Sequence, residues 1–400
     1  MRPFFKNEDF DFETIISLGA VQYGAADIGE VLSTIERIRN GKYDQWVSEW
    51  SSTAARVRKA AQKSQSAGHD VSARWAYLRA STYYNSASFL SDHTADPDAF
   101  DTWWNEHRDC WDKFVELSPH IEPLSVPFEG IELEGAFFKL DDSDEPRPTI
   151  ILNNGSDGSI AQMWTCGAAA AIQRGWNAMT FDGPGQGAAL HRQKIYFRPN
   201  WETVITPVVD VILDRADVDP DKLVLHGISQ AGFWVPRALA YEHRFAAGVA
   251  DPGVHNMAEV WLNHLPHSMV KQLEAGDRDG FNKKMRFTER LSKNTAAMMK
   301  TRSRPFGTDN DYDTFKAAED YVLTQQQIAS ISCPMLITDP EGESFWPGQS
   351  RELHEMLDVT DKELVSFTEE EGGDLHCEPA ALALRDQRVF DWLDATVRDS

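Results

Sequence analysis

Residues 222–232 read Lys222-Leu223-Val224-Leu225-His226-Gly227-Ile228-Ser229-Gln230-Ala231-Gly232. The apolar run 223–225 suits a strand buried on both faces. Gly227 to Gly232 predicts a tight turn, and residues 233–241 predict a helix. A serine centred on a sharp turn between strand and helix has the context of a nucleophile elbow. The backbone of such a turn is strained, and large neighbours collide there. Ala231 stands where the pattern G-x-S-x-G asks for a second glycine, but Gly232 follows at once and alanine is nearly as small. The alternative is an ordinary strand–turn–helix crossover with an incidental serine, so the rest of the chain has to decide.

Working outward, strand and helix patterns alternate. Residues 149–153 predict a buried strand ending in Asn154-Gly155-Ser156-Asp157-Gly158. A helix over 160–174, a strand over 177–181 and a helix over 203–213 precede the elbow. The glycine-rich loop Asp182-Gly183-Pro184-Gly185-Gln186-Gly187 lacks the lysine and spacing of a P-loop and reads as a structural turn beside the site. Residues 245–250, 333–339 and 363–367 predict further strands, and 379–397 an amphipathic closing helix. Such alternation predicts an α/β fold with a doubly wound, mostly parallel sheet. Residues 125–138 alternate like an antiparallel strand pair with one wet face.

Two segments break the alternation. Residues 1–124 carry helical spacing at 28–38, 47–65, 70–89 and 97–117, with Asp70 as a plausible helix cap. Trp46, Trp50, Trp75, Trp103, Trp104 and Trp111 crowd there. They predict helix packing, or else an aromatic wall over a substrate. Residues 254–330 are helical, polar and rich in methionine, and interrupt the sheet as a lid would. The predicted organisation is a helical N-terminal domain (1–124), a core in two parts (125–253 and 331–400) and a helical lid insertion (254–330).

The chain has 400 residues and is 42% hydrophobic, with 21 Phe and 13 Trp, enough for a large core. Its net charge of −24, from 39 basic and 63 acidic residues, argues against nucleic acid and anionic membrane as partners. No apolar run approaches the roughly 18 residues of a membrane span. The N-terminus shows no apolar signal region. Cys110, Cys166, Cys333 and Cys377 show no metal-like pairing and fit free thiols in a reducing compartment. The expectation is a soluble cytoplasmic protein.

A serine hydroxyl needs a base, an orienter for that base, and donors for the oxyanion. In doubly wound sheets these groups gather at the carboxyl ends of strands. His376 follows the last strand and is the candidate base; His354 falls inside a predicted helix and suits less well. Glu343 and Asp339 both follow the preceding strand, and Pro347, four residues on, favours Glu343 as the acid. The N–H groups of Gln230 and Ser156 are the candidate oxyanion hole. Glu259 and Asp339 are candidate substrate contacts. His255, His264 and His267 lack metal-ligand spacing and neighbours, so no metal is expected.

The order of these motifs resembles the α/β-hydrolases grouped with 2,6-dihydroxypseudooxynicotine hydrolase, the FrsA-like esterases and fungal polyketide-shortening hydrolases. The resemblance rests on residues 154–157, 182–187 and 227–232, on Asp374-Leu375-His376-Cys377 with Asp391-Trp392-Leu393, and on the helical stretch 77–84. It covers nearly the whole chain. It departs at Ala231, and at the acid, which in the family is an aspartate. The resemblance implies an α/β-hydrolase fold, a small-molecule substrate held between the helical domain and the core, no cofactor, and a homodimer. It implies cleavage of an ester or of a carbon–carbon bond next to a ketone, through an acyl-enzyme. The aromatic segment and the methionine-rich insertion suit a bulky, apolar or aromatic substrate. Interception of the same acyl-enzyme by another nucleophile, giving a cyclase or acyltransferase, is one rival. A non-catalytic binding protein on this scaffold is another.

Overall fold

Eight strands form one sheet in the computed structural model, which describes residues 3–398. They are β1 (Ile121–Phe128), β2 (Ile131–Phe138), β3 (Arg147–Asn153), β4 (Asn177–Phe181), β5 (Val218–Ile228), β6 (Ala247–Asp251), β7 (Met335–Pro340) and β8 (Lys362–Phe367). Their order across the sheet is β1-β2-β4-β3-β5-β6-β7-β8. β1 and β2 form an antiparallel hairpin, and β2 joins β4 antiparallel. All remaining pairs are parallel. Glu129 and Gly130 turn the hairpin, both at positive φ (47° and 85°), as a two-residue connection between twisted strands requires. This is the α/β-hydrolase fold.

Alternation along each strand sends side chains to opposite faces. Ile150, Leu152, Ala178, Val224, Val249 and Leu336 join one buried core. Ile151, Met179, Leu225, Ala250, Met335 and Ile337 join the other. Both faces are covered, as an apolar, mostly parallel sheet demands.

The first core is covered by α1 (Glu8–Gly19), α2 (Ile28–Ile35), α3 (Tyr43–Ser66), α4 (Asp70–Phe89) and α5 (Ala99–Glu116). Trp46, Trp50 and Trp111 are buried inside it. Trp75 packs tilted against both Phe114 and Trp164. These tryptophans are packing residues. α4 begins at Asp70 itself, with His69 before it and no side-chain cap, so Asp70 is not the cap that its position suggested.

Four helices flank the middle strands: α6 (Ala168–Gln173), α7 (Gly187–His191), α8 (Glu202–Leu213) and α9 (Ala231–Leu239). The single helix predicted over 160–174 is broken. A 3-10 turn spans Gln162–Trp164, and α6 starts only after Gly167, whose φ is 149°. A Cβ at Gly167 would lie 2.8 Å from the Leu152 side chain. Close packing on β3 therefore outweighs helix continuity.

The insertion after β6 holds α10 (Glu259–Leu262), α11 (His267–Glu274), α12 (Arg278–Leu291), α13 (Lys293–Ser303), α14 (Asp311–Ala318) and α15 (Gln325–Ala329). Met257, Met269, Met285 and Met299 are buried in the second core, whereas Met298 is exposed. α16 (Gln349–Met356) and α17 (Leu382–Leu393) complete the chain. Among the described residues, no helix is long and apolar enough to cross a membrane.

A buried charge joins the helical segment to the sheet. Arg108 on α5 donates to Asp182 Oδ2 after β4 (3.2 Å), to Glu134 on β2 (2.6 Å) and to Asp112 (2.9 Å). The Asp182 side chain is fully buried and also accepts from the Ala188 and Ile160 amides. Removing one partner of such a pair strands the other charge. Arg108→Met keeps the stem but not the guanidinium. It is expected to lower unfolding free energy by about 3 kcal/mol, measured by urea titration of tryptophan fluorescence. A loss below about 0.5 kcal/mol would mean that the two amides alone hold Asp182.

Candidate active site

Ser229 follows β5 directly with φ 59°, the left-handed conformation of a sharp elbow. Its N–H donates to the Asp251 carbonyl at 2.6 Å, which ties the turn to the end of β6. Two glycines make room. A Cβ at Gly227 would lie 2.4 Å from the Ala231 carbonyl oxygen, and one at Gly232 only 1.8 Å from that of Pro252. Position 231, where a second glycine was expected, faces no such limit: Ala231 is buried and opens α9. The small-residue requirement has moved one place along the chain.

His376 and Glu343 reach Ser229 from two loops. Ser229 Oγ lies 2.8 Å from His376 Nε2, and His376 Nδ1 lies 2.6 Å from Glu343 Oε2. A carboxylate only accepts, so Nδ1–H donates to Glu343 and Nε2 is left to accept from Ser229. The other carboxylate oxygen, Oε1, accepts from the Phe345 and Trp346 amides at 2.7 and 3.2 Å. Burial pushes the Glu343 carboxyl up, but His376 and the two amides outweigh it and hold the group below its ordinary range. The ring of Phe345 sits 4.6 Å from that of His376, and Trp346 5.8 Å.

Asp339 is engaged elsewhere. Its carboxylate accepts from Arg351 at 2.8 Å. The structure therefore gives His376 to Glu343, not to Asp339, and does not bring Asp339 to the relay. Glu259 is also occupied: Asn256 and Gln349 donate to its two oxygens at 3.2 and 3.0 Å. These contacts brace the loop after β6. His255 pairs with Glu352 at 2.7 Å, and His264 and His267 are exposed.

The loop after β3 closes the other side. A Cβ at Gly155 would come within 2.9 Å of Ser229 Cβ, so glycine is what lets this backbone approach the serine. Gln186 clamps it, donating to the Asn154 and Gly155 carbonyls at 2.6 and 2.7 Å. Among the described residues, the N–H groups of Gln230 and Ser156 donate to no protein acceptor. Gln186, Phe345 and Trp346 escaped sequence reasoning in these roles. Two of them act through backbone N–H groups, which no side-chain pattern reports.

Beneath the elbow lies a second pair of acids. Glu378 is fully buried with φ 48°, and neither its oxygens nor Asp251 Oδ2 meet a protein N–H or O–H donor. Asp251 Oδ1 accepts from Thr338 at 2.7 Å. Burial and then Asp251 raise Glu378 well above its ordinary value, and burial also raises Asp251. The Asp251 carboxyl thus disfavours ionisation of Glu378. Arg385 nearby is paired with Asp386 at 2.8 Å, and Asp386 accepts from Tyr23 of the helical segment.

No protein-family model matches the chain. It is 28% identical to "Hydrolase LUC6" of Fusarium sp over 99% of this chain and 98% of the relative. It is 27% identical to "20-hydroxy-prefusarin hydrolase FUS2" of Gibberella moniliformis over 99% and 98%. Among solved structures, 2,6-dihydroxy-pseudo-oxynicotine hydrolase superposes with a TM-score of 0.75 at 18% identity, covering 95% of each chain. These likenesses mark the chain as an enzyme of the α/β-hydrolase fold.

The geometry of the elbow generates a stability prediction. Gly232→Ala drives a methyl group into the Pro252 carbonyl, and backbone rather than a flexible side chain must yield. The expected loss is about 3 kcal/mol, read by thermal melting. Ala231→Gly is expected to change stability by no more than about 1 kcal/mol.

Proposed function

We propose that this enzyme is a cofactor-free serine hydrolase, with Ser229 as nucleophile, His376 as base and Glu343 as the acid that orients it. The observation that carries the reading is the continuous relay from Ser229 to His376 to Glu343, at 2.8 and 2.6 Å. Ser229 Oγ attacks a carbonyl carbon and its proton passes to His376 Nε2. The imidazolium that forms faces the Glu343 carboxylate, already held ionised by two amides. The oxyanion is met by the N–H groups of Gln230 and Ser156. As the tetrahedral species collapses, the leaving group takes the proton from His376. Water, deprotonated by His376, then releases the acid from Ser229.

The bond cleaved is an ester, or a carbon–carbon bond next to a ketone, where the leaving carbon departs as an enolate and takes the same proton. The proposed substrate is a bulky, apolar or aromatic small molecule. The rings of Phe345 and Trp346 beside His376 support an aromatic or apolar ligand. The likeness to a relative named a 20-hydroxy-prefusarin hydrolase supports a small-molecule substrate. The four cysteines are free in the structure, which supports a reducing compartment, and we propose the cytoplasm.

The test is intact mass after exposure to a fluorophosphonate. One adduct is expected on the wild-type chain and none on Ser229→Ala. An unlabelled, folded wild-type chain that also resists a smaller sulfonyl fluoride would remove the serine-hydrolase reading and favour a binding protein.

A second measurement addresses the acid. Glu343→Gln keeps the shape but can present its amide N–H to His376 and so favour the wrong tautomer. It is expected to lower kcat on a 4-nitrophenyl ester by about 10³–10⁴-fold. Asp339→Asn is expected to lower it by less than about tenfold. The reverse ranking would make Asp339 the acid.

A further inference from the structure

The backbone over 155–158, which closes on Ser229, is held by no backbone–backbone hydrogen bond among the described residues. What aims its peptides is one side chain from the glycine-rich turn after β4. Gln186 is buried and uses both ends of its amide. Its Nε2 donates to the Asn154 and Gly155 carbonyls at 2.6 and 2.7 Å, and its Oε1 accepts from the Gly183 N–H at 3.0 Å. These partners fix which end of the amide is which, since a carbonyl can only accept and a backbone N–H can only donate. The turn that presents the amide is itself anchored. The Gln186 N–H donates to the Gly183 carbonyl at 2.9 Å, and Asp182 accepts from the Ile160 and Ala188 amides and from Arg108.

The consequence lies at the other end of each peptide. The Gly155 carbonyl and the Ser156 N–H share one peptide plane, and the Asn154 carbonyl and the Gly155 N–H share the plane before it. Both peptides are trans, so each N–H points opposite to its carbonyl. Two successive carbonyls drawn to one nitrogen therefore turn two successive N–H groups away from it together. Neither N–H meets a protein acceptor among the described residues. Successive free N–H groups on one side of a backbone form a concavity that suits an anion. This backbone lies against the nucleophile: a Cβ at Gly155 would come within 2.9 Å of Ser229 Cβ and 3.4 Å of Ser229 Oγ. A hydrogen bond accepted by a carbonyl also polarises its amide and strengthens the N–H as a donor.

We propose that Gln186 is a positioning residue for the oxyanion. It turns the Gly155 and Ser156 N–H groups toward the oxygen that becomes negative when Ser229 attacks, and so adds Gly155 to the donors Gln230 and Ser156. The proposal rests on the serine-hydrolase reading above. It gives the 182–187 turn a role in the reaction as well as in the shape of the core. The proton relay from Ser229 to His376 does not pass through Gln186, so its effect falls on stabilisation of the oxyanion.

The test uses trifluoroacetophenone. Ser229 Oγ adds to its ketone carbon and the serine proton passes to His376 Nε2, leaving a tetrahedral oxyanion with no group expelled. The corresponding alcohol has nearly the same shape and cannot form the adduct. Gln186→Met keeps the length of the side chain without the donor, and Gln186→Glu keeps the shape but sets an acceptor against the two carbonyls. Each is expected to raise Ki for the ketone by about 10–100-fold, short of the roughly 10²–10³-fold that loss of a whole oxyanion donor costs. Ki for the alcohol is expected to change by less than about twofold, and kcat on a 4-nitrophenyl ester to fall with the ketone's affinity while KM stays within about threefold. A purely structural role would weaken ketone and alcohol alike. If neither variant folds, a crystal structure of the wild-type ketone adduct decides the matter, with the oxyanion expected within about 3.1 Å of both the Gly155 and Ser156 nitrogens. An oxyanion bound away from them, or an unchanged ratio of the two Ki values in a folded variant, overturns the positioning role, while fluorophosphonate labelling of Ser229 leaves the hydrolase reading standing. Failure of the labelling itself removes both.

Discussion

The left-handed backbone of Ser229 is the constraint on which the rest of the site depends. A φ of 59° is unfavourable for a residue with a Cβ. It persists because its surroundings allow no alternative. The Ser229 amide is held by the Asp251 carbonyl, and Gly227 and Gly232 let α9 and the segment after β6 close in. Gly155 brings the loop after β3 against the same side chain. The serine is thereby presented at the carboxyl edge of the sheet, where the loops after β7 and β8 can reach it.

Around that point carboxyl groups are sorted by environment rather than by type. Glu343 meets two amides and an imidazole N–H and stays ionised. Glu378, buried one layer below with no N–H or O–H donor, is pushed well above its ordinary value by burial and by Asp251. Asp339, close to Glu343 in sequence, is neutralised by Arg351. In a chain with 63 acidic residues, what distinguishes the acid paired with His376 is its set of donors.

The helical N-terminal segment and the insertion are joined to each other as well as to the sheet. The nearly buried carboxylate of Asp92 pairs with Lys300 and Arg304 and accepts from Thr301. This fixes α13 against the helical segment. On the other side Tyr23 bonds Asp386 at the start of the closing helix, and Gly19 packs so tightly on Pro379 that a Cβ there would overlap its carbonyl oxygen. The segment that follows His376 and α1 are therefore parts of one packed unit.

By itself the sequence determined the strand–helix alternation, the elbow and the segments interrupting the sheet. Each rests on local signals: period-two or helical apolar spacing, and small residues where backbone must turn. Ser229 and His376 were legible because each sits in a loop after a recognisable strand. The choice between Glu343 and Asp339 was left to tertiary structure. Both follow β7, and the difference lies in which one meets His376 and the Phe345 and Trp346 amides and which meets Arg351. Hydrogen bonds and charge interactions depend on distances of a few ångströms between groups far apart along the chain, and local sequence patterns do not encode those distances.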